Sequence, residues 1–268
     1  MQRDLRGLRI IITGASSGIG RCLAERAAQA GSRLILAARS TSTLAQLGKE
    51  LKSKGFEAIP VTADVTKDVD RHHLLQIAQE RFGGLDVLIN NAGVASFGHF
   101  ATSSEDILRQ TMEVNFFAPA ELIREAIPIL VRGVKPAIVN IASMCGRRGL
   151  PAWTEYSASK FALCGLTEAL RGEMARFDID VLLIVPGLTQ SELPRHLLRN
   201  DGRMKIDFQG GMVPDDVAAA VLQALRNNRT ETVLGQEARW MLRVNRFFPR
   251  LVDRLVARRV KKLYKISL

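Results

Sequence analysis

The chain has 268 residues, 47% of them hydrophobic, so it can bury a substantial core as one large domain. No apolar run approaches the length of a membrane span, and the polar segment 1–9 leaves no room for a secretion signal. The three cysteines lack metal-ligand spacing and suit a reducing compartment, so we expect a cytoplasmic protein without a metal site. The net charge of +11 is uneven, since residues 226–268 hold 12 Lys and Arg against 3 Asp and Glu.

Short aliphatic runs alternate with longer helical segments along the chain. Strands are predicted at 8–13, 33–38, 56–61, 86–90, 136–142, 179–185 and 231–235, and helices at 18–30, 42–54, 67–82, 104–131, 156–177 and 215–228. This alternation predicts an α/β fold, in which a parallel sheet carries helices on both faces. The glycine-containing segment 186–213 is predicted to be a flexible loop.

A glycine-rich turn connects the first strand to the first helix. Its glycines permit a tight turn and close approach of the backbone to a pyrophosphate, which the N-terminus of the helix would face. The sequence therefore predicts a dinucleotide site formed by Gly14, Ser16, Ser17, Gly18, Ile19 and Gly20.

A tyrosine and a lysine, Tyr156 and Lys160, lie four residues apart and share one face of a helix. A phenol has a pKa of about 10, and a nearby ammonium lowers that pKa toward neutral pH. With Ser143 as hydrogen-bond donor to a substrate oxygen, these groups suffice for proton transfer at a carbonyl.

These features occur together in an order and spacing that resemble the short-chain dehydrogenase/reductase family. The motifs are Thr13-Gly14-xxx-Gly18-x-Gly20, Asn90-Asn-Ala-Gly93, Asn115, Ser143, Tyr156-xxx-Lys160 and Pro186-Gly187. The resemblance implies a Rossmann-type doubly wound parallel sheet of about seven strands, a nicotinamide cofactor, reversible oxidation of an alcohol, and assembly as a homodimer or homotetramer. Residues 1–235 are expected to form one catalytic domain, and residues 236–268 a basic amphipathic helical extension.

The resemblance also implies roles for single residues. Tyr156 would be the general acid in reduction and the base in oxidation. Lys160 would hold the nicotinamide ribose and lower the pKa of the tyrosine. Ser143 would bond the reacting oxygen, and Asn115 would help to hold a water in a proton relay, although by itself it is more typical of a capping or helix-bending residue.

Further cofactor contacts are expected at the ends of later strands. Asp64, by itself more typical of a turn, resembles with Val65 the pair that contacts adenine. In the Pro-Gly segment, Thr189 and Ser191 replace the usual aliphatic residue and threonine, which weakens the case for their contacts. The expected contact residues are Asp64, Val65, Asn91, Gly93, Pro186, Gly187, Thr189 and Ser191.

The end of the second strand indicates NADP(H) rather than NAD(H). An acidic residue there would bind the ribose 2′-hydroxyl, whereas this chain has Arg39, which can pair with a 2′-phosphate. Many NADP-using relatives carry a second basic residue where this chain has Ser17. A solvated arginine would leave the choice open.

The expected substrate is a small hydrophobic ketone, aldehyde or alcohol. Arg147 and Arg148 would meet an acidic group or lie exposed, and Cys145 would be reactive or a small core residue. The predicted apolar wall consists of Phe97, Phe100, Met144, Leu150 and Trp153.

The basic C-terminal segment has arginines at steps of three or four beside an apolar stripe, and Pro249 divides it into two helices. Three interpretations stay open for residues 237–268. The helices pack on the body or on a second subunit, lie peripherally on an anionic membrane, or bind nucleic acid, which nothing else in the chain supports.

Two functional classes follow from the sequence. The first is an NADP(H)-dependent oxidoreductase that interconverts a carbonyl compound and an alcohol. The second is a catalytically silent nucleotide-binding regulator or scaffold on the same fold. The intact set of Asn115, Ser143, Tyr156 and Lys160 favours the first.

Overall fold

The computed structural model describes residues 2–190, 197–203 and 207–264. Seven strands form one parallel sheet in the order β3-β2-β1-β4-β6-β7-β9, and two short strands, β5 and β8, pair separately. This confirms the predicted doubly wound α/β fold. The strands are β1 Arg9–Thr13, β2 Arg33–Ala38, β3 Ala58–Thr62, β4 Val87–Asn90, β5 Ser96–Phe97, β6 Ala137–Ile141, β7 Asp180–Pro186, β8 Arg199–Asn200 and β9 Glu231–Leu234.

Helices cover both faces of the sheet, as predicted. Among the described helices, each is either too short or too polar to span a bilayer. The helices are α1 Gly18–Gln29, α2 Thr41–Ser53, α3 Asp68–Phe82, α4 Glu105–Met112, α5 Ala118–Leu130, α6 Thr154–Met174, α7 Pro214–Arg226, α8 Gln236–Phe247 and α9 Pro249–Tyr264.

The middle of the sheet is buried on both sides because its strands are apolar throughout. On β1, Ile10 and Ile12 pack in the core that includes residues of α1, α2 and α7, whereas Ile11 packs with residues of α3 and α5. Side chains alternate between the faces of a strand, so an uninterrupted apolar run serves two cores at once.

The direction of winding reverses between β1 and β4, which are neighbours in the sheet although β2 and β3 separate them in the chain. The connections on either side of such a switch point diverge and leave a crevice beyond the carboxyl ends of the strands. The predicted site residues follow β1, β4, β6 and β7, so the topology brings them to this edge.

The predicted flexible loop at 186–213 contains ordered pairings within its described part. Arg199 and Asn200 form β8 against β5, and Thr189 forms a β-bridge with Met212. The predicted cofactor residue Ser191 lies outside the described residues.

Candidate active site

The turn after β1 is so tight that two of its glycines leave no room for a side chain. Gly14 has φ of 65°, and a Cβ there would lie 2.8 Å from the Ala92 Cα. A Cβ on Gly20 would overlap the Gly14 carbonyl oxygen. These glycines therefore allow the N-terminus of α1 to lie against the end of β4.

The open side of this turn suits an anion. Gly18 has φ of 51°, and apart from its immediate chain neighbours and the backbone of its own helix no protein atom lies within 4 Å of where its Cβ would be. The N-cap residue Ser17 makes no side-chain capping bond, and the first turn of α1 contains no acidic residue. The positive end of the helix and its free N–H groups are therefore available to a phosphate.

The side chain of Asn91 stabilises the turn by hydrogen bonds. Its Nδ2 donates hydrogen bonds to the carbonyl oxygens of Thr13 (2.9 Å) and Gly14 (3.1 Å). The Thr13 hydroxyl in turn accepts from the backbone N–H groups of Asn91 and Ala92, both at 3.0 Å. The Asn91 side-chain amide thus shapes the glycine turn, a role that the sequence pattern alone does not reveal.

Arg39 follows β2 and is exposed. None of the described residues forms an ion pair or hydrogen bond with its guanidinium group. Its neighbour Ser40 shares a hydrogen bond of 2.9 Å with the Thr43 hydroxyl. The arginine is therefore free to meet an anion at the end of this strand.

Asp64 makes the turn contacts that are typical of an isolated aspartate in a loop. Its Oδ1 accepts from the Thr66 backbone N–H (3.1 Å) and hydroxyl (2.8 Å), and its own N–H donates to Asp70 (2.7 Å). The adjacent Val65 is buried, and its carbonyl oxygen accepts from Arg71 at 3.1 Å.

Tyr156 and Lys160 lie in the first two turns of α6, and Ser143 follows β6. The phenol is half-buried beside Ser143, and its ring packs edge-on against Trp153 with centroids 5.7 Å apart. Lys160 is buried, and its Nζ lies 5.9 Å from the centre of the tyrosine ring. This Nζ donates a hydrogen bond to the Ile141 carbonyl oxygen at 3.0 Å. The three predicted catalytic side chains therefore converge.

The protonation states differ from the expectation. Burial raises the pKa of Tyr156, and this effect exceeds the lowering by the nearby Ser143 hydroxyl. Burial also lowers the pKa of Lys160 to about 8. The predicted lowering of the tyrosine pKa by the ammonium is not found here, because desolvation dominates and Lys160 bonds to a backbone carbonyl. Tyr156 therefore holds its proton at neutral pH.

Asn115 lies in a π-helical segment, Glu113–Phe117, within the predicted single helix 104–131. Its Oδ1 accepts from the Val94 N–H, and its Nδ2 donates to the Val94 carbonyl and the Ser159 hydroxyl, all at 2.9 Å. Ser159 donates to the Tyr156 carbonyl oxygen at 2.8 Å. Asn115 thus ties the end of β4 to α6, and the sequence did not identify Ser159 as the link.

Gly93 and the segment after β7 complete the edge. A Cβ on Gly93 would lie 3.2 Å from Asn115 Oδ1 and 3.6 Å from Lys160 Nζ. Pro186 ends β7, Gly187 donates its N–H to the Leu234 carbonyl at 2.9 Å, and the Thr189 hydroxyl donates to the Gly187 carbonyl at 3.2 Å.

An apolar wall lies beside Tyr156. Phe97 and Trp153 are buried with ring centroids 4.9 Å apart, and Leu150 packs against them. Of the remaining predicted wall residues, Phe100 is 58% exposed and Met144 is partly buried in the turn after Ser143. Leu197 and Phe208, which the sequence did not single out, join the cluster.

The two arginines near this wall, Arg147 and Arg148, already form ion pairs within the protein. Arg147 pairs with Glu168 and with Glu231 (2.6 Å), and Arg148 pairs with Asp253 at 2.5 Å. These ion pairs disfavour the suggestion that the two arginines meet an acidic substrate group. Cys145 is buried and burial raises its pKa to about 11, which favours the core interpretation over a reactive thiol.

Comparison with known proteins places this arrangement in context. Residues 9–201 match the sequence profile described as short chain dehydrogenase. An uncharacterized oxidoreductase, YxnA, from Bacillus subtilis is 34% identical over 95% of this chain and 72% of its own length. The ketoacyl reductase HetN of a Nostoc species is 33% identical over 94% of this chain and 88% of its own.

A solved structure shares the architecture. The short-chain dehydrogenase/reductase from Burkholderia phymatum, crystallised in complex with NAD, superposes with a TM-score of 0.85 at 27% identity, over 93% of this chain and 96% of that one. The sequence match, the parallel sheet and the converging residues lead to one assignment: the chain belongs to the short-chain dehydrogenase family of oxidoreductases.

Proposed function

We propose that this protein interconverts an apolar ketone or aldehyde and the corresponding alcohol, with NADP(H) favoured over NAD(H). The observation that carries the proposal is the convergence of Ser143, Tyr156 and Lys160 beside an open glycine turn, at the carboxyl edge of the sheet. A proton-transfer group and an anion-binding turn at one crevice fit carbonyl reduction by a dinucleotide.

The residues around the crevice fit a nicotinamide dinucleotide, which would supply the hydride donor or acceptor. The turn at Gly14–Gly20 would hold the pyrophosphate, and the unpaired Arg39 would bind a 2′-phosphate. Asp64, Val65 and Gly93 would border the adenosine half. Lys160 would bind the nicotinamide ribose, and Gly187 and Thr189 would approach the carboxamide.

The proton chemistry belongs to Tyr156. Because burial raises its pKa, the phenol is protonated at neutral pH and can donate its proton to a carbonyl oxygen during reduction. Ser143 would donate a second hydrogen bond to the same oxygen as negative charge develops there. Asn115, which binds the main chain of Val94, would help to hold a water molecule in the proton relay. The wall of Phe97 and Trp153 would exclude bulk water.

The experiment follows oxidation of NADPH with a panel of apolar ketones and aldehydes. We expect turnover by the natural protein and a loss of about 100-fold or more in kcat for Tyr156→Phe, since the proton donor is gone. Binding of NADPH, measured by fluorescence, should be retained in the variant. Turnover that survives this substitution would remove Tyr156 from the mechanism.

The same experiment distinguishes a silent nucleotide-binding scaffold. Such a protein would bind NADPH and turn over no member of the panel, with or without Tyr156→Phe. The intact arrangement of Asn115, Ser143, Tyr156 and Lys160 supports the enzyme instead, because a scaffold has no need for these four polar groups at one cleft, two of them buried.

We further propose that the protein is a homo-oligomer. Phe117 and Phe161, on the adjoining π segment and α6, are 47% and 45% exposed, which is unfavourable for aromatic side chains in water. Light scattering after gel filtration should give a dimer or tetramer mass, and Phe161→Glu should reduce it. A monomer mass for the natural protein at micromolar concentration would contradict this assembly.

A further inference from the structure

Helices α8 and α9 present an exposed apolar and cationic surface, which we call the C-terminal surface. Trp240 and Phe247 lie seven residues apart on one side of α8 and are 69% and 70% exposed. Leu251 and Leu255 are four apart on α9 and about half exposed. With Phe248, five large apolar side chains lie in water within 16 residues.

The opposite face of these helices is already packed on the body. Ala238 is 2% exposed, and Leu242 packs against the core cluster at the end of β7. On α9, Val252 is buried and Asp253 pairs with Arg148 at 2.5 Å. The helices are therefore held in place by one face, and the exposed apolar groups belong to a second face that the body does not cover.

The cations of this surface have no acidic partners in the described structure. Acidic residues in α8 and α9 are confined to Glu237 and Asp253, and Asp253 is bound to Arg148. On the body, by contrast, several arginines pair with carboxylates, as Arg26 does with Asp215. The exposed side chains for which the described residues provide no hydrogen bond or ion pair are Arg243, Arg246, Arg250, Arg254, Arg258 and Arg259.

We propose that the C-terminal surface binds the headgroup region of an anionic phospholipid bilayer. Unpaired arginines would meet lipid phosphates, and Trp240, Phe247 and the leucines would enter the boundary of the acyl chains. A second copy of the chain fits less well, because self-contact would bring two cationic surfaces together. A nucleic acid would satisfy the charges and leave the leucines in water.

Co-sedimentation of the full chain with vesicles tests this binding. Vesicles of phosphatidylcholine and phosphatidylglycerol in equal parts should pellet the protein, and vesicles of phosphatidylcholine alone should not. Arg250→Gln with Arg254→Gln should weaken partitioning about 25-fold, since each cation contributes about fivefold. Trp240→Ser with Phe247→Ser should weaken it about tenfold or more, through loss of apolar burial.

A matched control removes the same charge elsewhere. Arg109 and Arg124 are each 75% exposed on α4 and α5, where they pair with Glu105 and Glu121. Arg109→Gln with Arg124→Gln should change partitioning by less than about twofold, because these charges lie outside the surface. Circular dichroism verifies that each variant is folded.

Four outcomes would overturn the proposal. Equal pelleting with both kinds of vesicle, or an equal loss in the control variant, would show that the surface does not recognise anionic lipid. Pelleting that is unaffected by the Trp240 and Phe247 substitutions would show that the apolar groups take no part. A smaller oligomer mass in that variant, measured without lipid, would identify the occupant as a second copy of the chain.

Discussion

The ammonium group of Lys160 is buried in the site, and its burial lowers the free energy of unfolding of the protein. Burial lowers its pKa from 10.5 to about 8, while one hydrogen bond to Ile141 offsets part of the lost hydration. Between these two values the unfolded chain binds a proton that the folded chain does not hold. Stability contributed by this residue therefore rises with pH across that interval.

The variant Lys160→Met measures this effect. The free energy of unfolding of the natural protein, relative to the variant, should rise by about 2.5 kcal/mol between pH 7 and pH 10. Urea unfolding of both proteins at the two pH values gives the quantity, and other titrating groups cancel in the comparison. Parallel pH profiles would show that the ammonium is not desolvated.

Arg39 provides a second prediction for a single residue. If it binds a 2′-phosphate, Arg39→Asp should lower the ratio of kcat/KM for NADPH over NADH by about 100-fold, through loss of a charge-assisted contact and added repulsion. Ser17→Arg should raise the same ratio. Stability should barely change, because Arg39 has no described partner to leave unpaired. An unchanged ratio in Arg39→Asp would mean that this arginine is merely solvated.

At the scale of elements, the glycine turn and the π segment decide how strands meet helices. The turn can be predicted from sequence because the spacing of Gly14, Gly18 and Gly20 is local. The π segment at Glu113–Phe117 cannot, since its sequence has no helix breaker and the expected pattern is one continuous helix. The hydrogen bonds of Asn115 to Val94 and Ser159, which are tertiary contacts, accompany the irregular turn.

Substitution of glycine by alanine should change the stability of the protein in opposite directions at two positions. Gly20→Ala should destabilise the protein by about 2 kcal/mol or more and weaken NADPH binding, because its Cβ overlaps the turn. Gly172→Ala, inside α6 with no atom near its Cβ position, should stabilise by about 0.5–1 kcal/mol. Chemical denaturation and NADPH titration provide both readings. Destabilisation of equal size in the two variants would contradict the packing argument.

At the scale of the whole molecule, the two C-terminal helices bury different amounts of apolar side chain against the body. The predicted division at residue 235 stays a prediction, and the packing of the two helices indicates how to test it. The first helix, α8, buries Ala238 and part of Leu242, whereas α9 buries Val252 and adds the exposed pair between Arg148 and Asp253.

Two truncations therefore should differ in stability. A chain ending at residue 248 should lose about 1–2 kcal/mol, the value of one buried valine, whereas a chain ending at residue 235 should lose about 3 kcal/mol more. Thermal and urea unfolding of both chains measure the difference. Equal stability of the shorter chain and the full protein would make residues 236–268 an independent extension.

The sequence by itself determined the alternation of strands and helices, the glycine turn, and the positions of Ser143, Tyr156 and Lys160. These features depend on neighbours within a few residues of one another, or on the order in which parallel strands reach one edge of a sheet. Only the tertiary structure decided the direction in which the pKa of Tyr156 shifts. It also decided the long-range partners of Arg147 and Arg148, since Glu231 and Asp253 lie 84 and 105 residues further along the chain. Desolvation and long-range ion pairing depend on which atoms surround a group in three dimensions, and that information is absent from local spacing.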